Sequence, residues 1–200
     1  MKDHDLKLVP PTLARQIEAT QALGFSMGSE PQTGALLATL VAGKPGGRFL
    51  ELGTGTGIGT AWMLAGMDPT ATLDTVENDP TALRIARDGL GTDPRLRFHE
   101  EEGGAFLTRM KGGWFDLIFA DTWPGKYTHL EEALAMLPVG GIYFIDDLLP
   151  QPNWAPDHAP KVPRLIAKLE SRTDLRLTKL CWATGLIIAV KTSPLATNEH

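Results

Sequence analysis

Apolar positions along this chain fall into short runs that alternate with stretches of helical spacing. Arg48 to Leu52, Ala71 to Glu77, Leu96 to Glu100, Phe115 to Asp121 and Gly141 to Asp146 each read as a short strand ending at a glycine or an acidic residue. Between them, Gly59 to Met67, Pro80 to Leu90, Gly104 to Met110 and His129 to Met136 have the length and periodicity of helices, with Asp79 and Thr128 as caps. This alternation predicts an α/β chain whose mostly parallel sheet carries helices on both faces.

The ends of the chain depart from that rhythm. Thr12 to Leu23 and Thr33 to Val41 predict two further helices, joined by Gly24-Phe25-Ser26-Met27-Gly28-Ser29-Glu30-Pro31, a glycine-rich joint suited to a lid. Residues Leu148 to Pro163 hold five prolines and predict a long loop without regular structure, close to the end of a central strand. A helix from Arg164 to Glu170 follows. Leu175 to Trp182 and Leu186 to Val190, separated by Ala183-Thr184-Gly185, then predict an antiparallel hairpin at the sheet edge, which brings the strands to seven. The expected organisation is one domain over residues 1–200: a helical cap over 1–44, a core over 45–192, and an unstructured tail over 193–200.

Composition excludes more than it adds. A hydrophobic fraction of 42% and a charged fraction of 22% suit a packed globular chain and exclude a disordered or fibrous one. The formal net charge is -5 and the 19 lysines and arginines are scattered, so nucleic acid is not an expected partner. The one cysteine, Cys181, lies in an apolar run without a disulfide partner, as a reducing compartment permits. The charged start, Met1 to Leu8, has no secretory signal core, and no apolar run is long enough to span a bilayer, so a cytoplasmic location without a membrane partner is expected. The two N-terminal helices could pair chains in a homodimer or pack on their own sheet; patterning does not choose.

The candidate chemistry begins at Glu51-Leu52-Gly53-Thr54-Gly55-Thr56-Gly57-Ile58-Gly59-Thr60, where a strand runs into alternating glycines and then a helix. Glycines let backbone N–H groups approach a ligand at a helix N-terminus. The dinucleotide spacing G-x-G-x-x-G is broken at Ile58 and Thr60, and no lysine is placed for a phosphate loop, so nicotinamide and nucleoside triphosphate chemistry are disfavoured. Glu51 would repel a pyrophosphate and attract the ammonium of an amino-acid moiety. Glu77, twenty residues beyond Gly57, ends the second strand where a carboxylate accepts hydrogen bonds from ribose hydroxyls.

These residues carry a resemblance. Glu51 to Gly57 resembles the first motif of class I S-adenosylmethionine-dependent methyltransferases, and Val76-Glu77-Asn78 looks like their second. The resemblance implies a doubly wound, Rossmann-like fold and S-adenosylmethionine as cofactor. It implies contacts to that cofactor from Met27, Glu51, Gly53, Thr54, Gly55, Gly57, Gly59, Glu77, Asn78 and Asp121, with Glu101, Glu102 or Gly103 meeting the adenine.

Phe119-Ala120-Asp121 ends the fourth strand and Phe144-Ile145-Asp146-Asp147 the fifth, and carboxyl ends of central strands line one crevice. Carboxylates that converge repel unless a cation or proton intervenes, so Asp121, Asp146 and Asp147 are candidate ligands for a divalent cation such as magnesium, which would acidify an acceptor hydroxyl. The alternative is that Asp146-Asp147 only organises the following loop. The pair, with Ser29-Glu30-Pro31-Gln32-Thr33-Gly34, is similar to the small O-methyltransferases related to the catechol and caffeoyl-CoA enzymes over roughly residues 25–150. Two departures stand out. Those enzymes usually have Asp-Asn where this chain has Asp146-Asp147, and Pro124-Gly125 set Lys126 further from Asp121 than the lysine of the catechol enzyme. Asp121, Asp147 and Lys126 are the expected catalytic residues. Trp123, Tyr127 and Trp154 are candidate walls for an aromatic acceptor, and His158 a reserve base. The expected function is methyl transfer to a hydroxyl of a small acceptor, with an RNA or protein methyltransferase or a non-catalytic S-adenosylmethionine-binding module as alternatives.

Overall fold

The computed structural model describes residues 2, 5, 6 and 9–193; the tail expected from residue 193 thus lies, from 194 on, outside the described residues. In chain order the elements are α1 (Leu13–Leu23), α2 (Pro31–Ala42), β1 (Arg48–Leu52), α3 (Ile58–Gly66), β2 (Thr72–Glu77), α4 (Pro80–Leu90) and β3 (Leu96–Glu100). There follow α5 (Gly103–Arg109), β4 (Leu117–Ala120), α6 (Leu130–Ala135), β5 (Ile142–Ile145), α7 (Lys161–Glu170), β6 (Leu175–Leu180) and β7 (Leu186–Lys191). The seven strands form one sheet in the order β3-β2-β1-β4-β5-β7-β6. The first five are parallel, and β7 joins β5 antiparallel with β6 at the edge, as the alternation and the hairpin predict.

Central strands are buried on both faces, and the two-residue period of a strand sends successive side chains to opposite layers. Leu50, Leu52, Ile118, Ala120, Tyr143 and Ile145 pack with Phe106 of α5, Leu134 of α6 and Leu165 of α7. Phe49, Leu117, Phe119, Ile142 and Phe144 pack with Leu37 of α2 and Met63 of α3. Each large side chain so buried contributes about 1.5–3 kcal/mol relative to exposure.

Local chemistry explains most boundaries. The Asp79 carboxylate accepts the Thr81 N–H at 2.8 Å and Pro80 opens α4, a preorganised start. The expected cap at Thr128 is displaced to His129, which takes a left-handed backbone with φ of 52° and makes no side-chain cap bond. The proline-rich loop is shorter than expected, because α7 begins at Lys161 and places Pro163 in its first turn, where a missing N–H costs nothing. Cys181 is exposed rather than packed in the hairpin. Among the described residues no helix is long and apolar enough to cross a membrane.

Candidate active site

The order of the sheet reverses between β1 and β4, and ligands of open α/β sheets bind beyond the carboxyl ends of strands at such a reversal. β1 ends at Leu52, and the glycine loop carries the chain into α3. Neighbouring elements fix the loop from both sides. The N–H groups of Gly53 and Thr54 donate to the Val76 carbonyl at 3.0 and 3.1 Å, and that of Gly55 to Glu77 Oε2 at 2.8 Å. From the other side, Gln16 Nε2 of α1 donates to the Thr56 carbonyl at 2.7 Å, and the Thr20 and Thr56 hydroxyls are 2.7 Å apart. Gly55 has a φ of 52°, and a Cβ there would come within 3.2 Å of the Phe25 ring, so a side chain is both strained and obstructed.

Glu77 Oε1 accepts the N–H groups of Asn78 and Asp79, both at 2.9 Å, so the carboxylate is held rigidly at the end of β2 with a remaining lone pair for a ligand hydroxyl. Glu51 lies beneath the loop, 1% exposed. Its Oε2 accepts from Thr60 at 2.5 Å and from Thr75 at 2.6 Å, while the buried Oε1 has no hydrogen-bond partner among the described residues. Burial pushes its carboxyl up to about 7 despite those two hydroxyls.

Gly53, Thr54, Gly55, Gly59, Glu77, Asn78, Met27 and Asp121 line a cavity of about 250 Å³. Glu102 and Gly103 line a smaller adjoining recess with Gly53, Glu77 and Asn78, and Glu101 lies there too. The Glu102 carboxylate also caps α5, accepting the Ala105 N–H at 2.9 Å. Gly57 does not face the cavity: a Cβ there would meet Ala86, Gln16 and Leu90, so its role is to let α1 and α4 approach. The glycine loop and the fixed carboxylate at the β2 end face the cavity and fit S-adenosylmethionine, which carries a ribose diol and no phosphate; Glu51, expected as a contact, lies under the loop and is not among the lining residues.

The ladder brings the acidic residues together. Leu52, Ala120 and Ile145 are neighbours across β1, β4 and β5, so Gly53, Asp121 and Asp146 stand in a row one residue beyond. The Asp121 N–H donates to the Leu52 carbonyl at 2.9 Å and the Asp146 N–H to the Ala120 carbonyl at 3.3 Å. Burial, then Asp146 beside it, holds the Asp121 carboxyl well above the ordinary carboxylate range, with Lys126 opposing. Burial likewise pushes Asp146 up to about 6. Asp146 Oδ1 accepts from the Asp147 N–H at 2.7 Å and from the Thr184 hydroxyl.

Lys126 is buried, and Nζ donates to the Asp146 carbonyl at 3.1 Å. The extra residues between Asp121 and Lys126 are taken up by a tight turn, in which the Lys126 and Tyr127 N–H groups donate to the Trp123 carbonyl at 3.0 and 2.8 Å. Gly125 makes the turn with a φ of 90°, and a Cβ there would lie 2.6 Å from Leu52. The turn thus returns Lys126, set further from Asp121 in sequence, to the Asp146 carbonyl at the end of β5. This donor set does not fit a divalent metal. One Asp146 oxygen is occupied by two donors, Lys126 Nζ is bonded to the Asp146 carbonyl, and among the described residues no three histidine, cysteine or carboxylate side chains are arranged to hold an ion.

A second cavity, of about 330 Å³, is lined by Asp121, Asp146, Asp147, Lys126, Trp123, Trp154 and His158. His158 stacks on Trp154 with ring centroids 4.0 Å apart and lies 2.8 Å, Nε2 to oxygen, from the Tyr127 hydroxyl; burial and Lys126 hold its imidazole below its usual range. Two loops meet over this cavity, where Asn153 Nδ2 donates to the Ser26 carbonyl at 3.1 Å. Ser29 Oγ reaches Asp121 Oδ2 at 3.3 Å.

Sequence reasoning missed the residues that hold others in place. Gln16, Thr60, Thr75 and Thr184 are polar positions in helices, a strand and a turn, and nothing local in the sequence marks their partners.

The chain is similar to known methyltransferases. A family model described as a methyltransferase domain matches residues 50–148. A Mycobacterium tuberculosis protein provisionally named an O-methyltransferase is 32% identical over 121 residues, 58% of this chain and 54% of that protein. The chain thus matches about half the length of its curated relatives. A Klebsiella pneumoniae structure provisionally titled as an O-methyltransferase superposes with a TM-score of 0.82 at 26% identity, covering 94% of this chain and 93% of that one. An O-methyltransferase from Bacillus cereus, solved with SAH, shares the fold with a TM-score of 0.82 at 22% identity, covering 94% of each chain. Residues 50–148 carry a methyltransferase domain, and the chain has the fold of the small O-methyltransferases.

Proposed function

We propose that this chain transfers a methyl group from S-adenosylmethionine to a hydroxyl of a small, aromatic acceptor. The observation that carries the reading is that the two cavities meet. Met27, Gly28, Ser29, Asp121 and Thr122 line both, so a donor over the glycine loop and an acceptor between Trp123, Trp154 and His158 would face each other across Asp121. S-adenosylmethionine supplies, when bound, a methyl group on a sulfonium.

The chain's own residues bind, orient and exclude water. Glu51, under the glycine loop, favours positive charge above it, Glu77 and Asn78 receive the ribose, and the recess at Glu102 and Gly103 receives the adenine. Asp121 accepts the proton of the acceptor hydroxyl, a role suited to a carboxyl whose proton affinity is raised. Asp147 and Lys126 complete the polar floor, and the two touching loops keep water out. Positioning donor and acceptor supplies most of the rate in such a displacement.

Calorimetry tests the donor half. S-adenosylmethionine binds the wild-type chain; Gly55→Val abolishes binding, and Glu77→Ala weakens it about 10- to 100-fold, the worth of hydrogen bonds to a charged group. Absence of wild-type binding overturns the reading. A radiolabelled methyl screen over catechols and other phenols tests the acceptor half, and binding without transfer to any of them identifies a non-catalytic module instead.

A further inference from the structure

We propose that the ammonium of Lys126 is the fixed cation of this site, standing where a divalent metal would otherwise gather the carboxylates, and that methyl transfer on this chain needs no metal. The inference rests on the methyltransferase reading above and deepens it.

Three carboxylates stand in one small region: Asp121 at the end of β4, and Asp146 and Asp147 at the end of β5. Like charges at such spacing require a compensating cation or proton. The structure supplies a cation from the chain itself. Lys126 is 2% exposed, Nζ is anchored on the Asp146 carbonyl at 3.1 Å, and the ammonium bears electrostatically on both Asp121 and Asp146. An ammonium has three donors, and the Asp146 carbonyl takes one. The other two have no partner among the described residues, and Lys126 lines the cavity with Asp121 and Asp147.

The turn that delivers this lysine is built into the fold. Gly125 leaves room for no side chain against Leu52, and the Tyr143 hydroxyl donates to the Gly125 carbonyl at 2.6 Å, which locks the turn onto β5. The Asp146 carboxylate is meanwhile tied to the Asp147 N–H and the Thr184 hydroxyl. The carboxylate expected to anchor a metal thus organises backbone, and a lysine holds the positive charge.

In the step this implies, an N–H of Lys126 donates to the acceptor oxygen and Asp121 takes its proton. That oxygen forms the new bond to the methyl carbon as the carbon–sulfur bond breaks, and its electron pair leaves on sulfur, which becomes a neutral thioether. The proton on Asp121 then passes to water.

Titration with Mn²⁺ followed by electron paramagnetic resonance reads the site without turnover. The wild-type chain with S-adenosylhomocysteine shows no saturable Mn²⁺ binding below about 1 mM, the weak end of carboxylate sites. Lys126→Ala, which frees the carboxylates, gains Mn²⁺ binding at least tenfold tighter. With an acceptor in hand, transfer survives EDTA, falls about 100-fold or more in Lys126→Ala, as on loss of a charge-stabilising donor, and is largely kept in Lys126→Arg. Micromolar Mn²⁺ binding to wild type, or activity lost to EDTA and restored by Mg²⁺, overturns the proposal, as does wild-type turnover in Lys126→Ala. Should Lys126→Ala fail to fold, the wild-type titration and Lys126→Arg still decide. Failure of S-adenosylhomocysteine to bind in calorimetry would defeat the parent reading and leaves the Mn²⁺ result as a separate answer.

Discussion

Glu51 is a buried carboxyl that the proposed ligand role would favour at the expense of the free protein. Its carboxyl is raised by burial to about 7, and one of its oxygens has no donor among the described residues. Because the folded value lies above the unfolded one of 4.5, the protonated group favours the fold below about pH 4.5, and that contribution is lost as pH rises through 7. The shift corresponds to roughly 3 kcal/mol at full development. The thermal midpoint of the free protein should therefore fall between pH 5 and pH 8, and Glu51→Gln should flatten that decline while weakening S-adenosylmethionine binding. An unchanged slope in Glu51→Gln would show that the carboxylate stays ionised throughout. The identity of Glu51 was legible from the sequence because its place before the glycines has a chemical meaning. Its two supporting hydroxyls were not, since Thr60 and Thr75 reach it from a helix and a neighbouring strand.

Among the elements, α1 gains a meaning that its sequence did not announce. It reads as part of a helical cap with an amphipathic face, yet its buried Gln16 and Thr20 brace the glycine loop at Thr56. Gln16 is 1% exposed, and its amide also fits only because position 89 on α4 is a glycine, where a Cβ would come within 1.8 Å of it. Gln16→Ala leaves the Thr56 carbonyl buried without a donor and should destabilise the chain by about 1–3 kcal/mol. Differential denaturation with and without S-adenosylhomocysteine checks it, and a larger loss with ligand than without marks a loop that has loosened. The other elements were legible to within a turn, since period-two strands and capped helices are written locally. The largest shifts are the cap at His129 in place of Thr128 and the start of α7 at Lys161, three residues before Arg164, where Pro163 is tolerated in the first turn.

At the scale of the molecule, the proposed function rests on two cavities sharing a wall. Trp154→Ala, which removes the stack on His158 from the acceptor side, should raise the KM for a phenolic acceptor about two- to tenfold, the worth of one aromatic contact, without moving the S-adenosylmethionine Kd. Steady-state kinetics beside calorimetry separates the two, and a parallel shift in both would show that the cavities do not act independently.

The sequence by itself determined the class of fold, the glycine loop, the acid at the end of β2 and the acids after β4 and β5. These follow from local signals: side-chain period, backbone freedom at glycine, and charge at strand ends. Only the tertiary structure decided what those residues meet. It turned Lys126 back to Asp146 through Gly125, tied Asp146 to Thr184 through the antiparallel β5–β7 pairing, and set Gln16 against Thr56. The physical reason is that a side chain's spacing along the chain governs the face it occupies, whereas the partner across that face depends on strand order and on turns closed by residues far away in sequence.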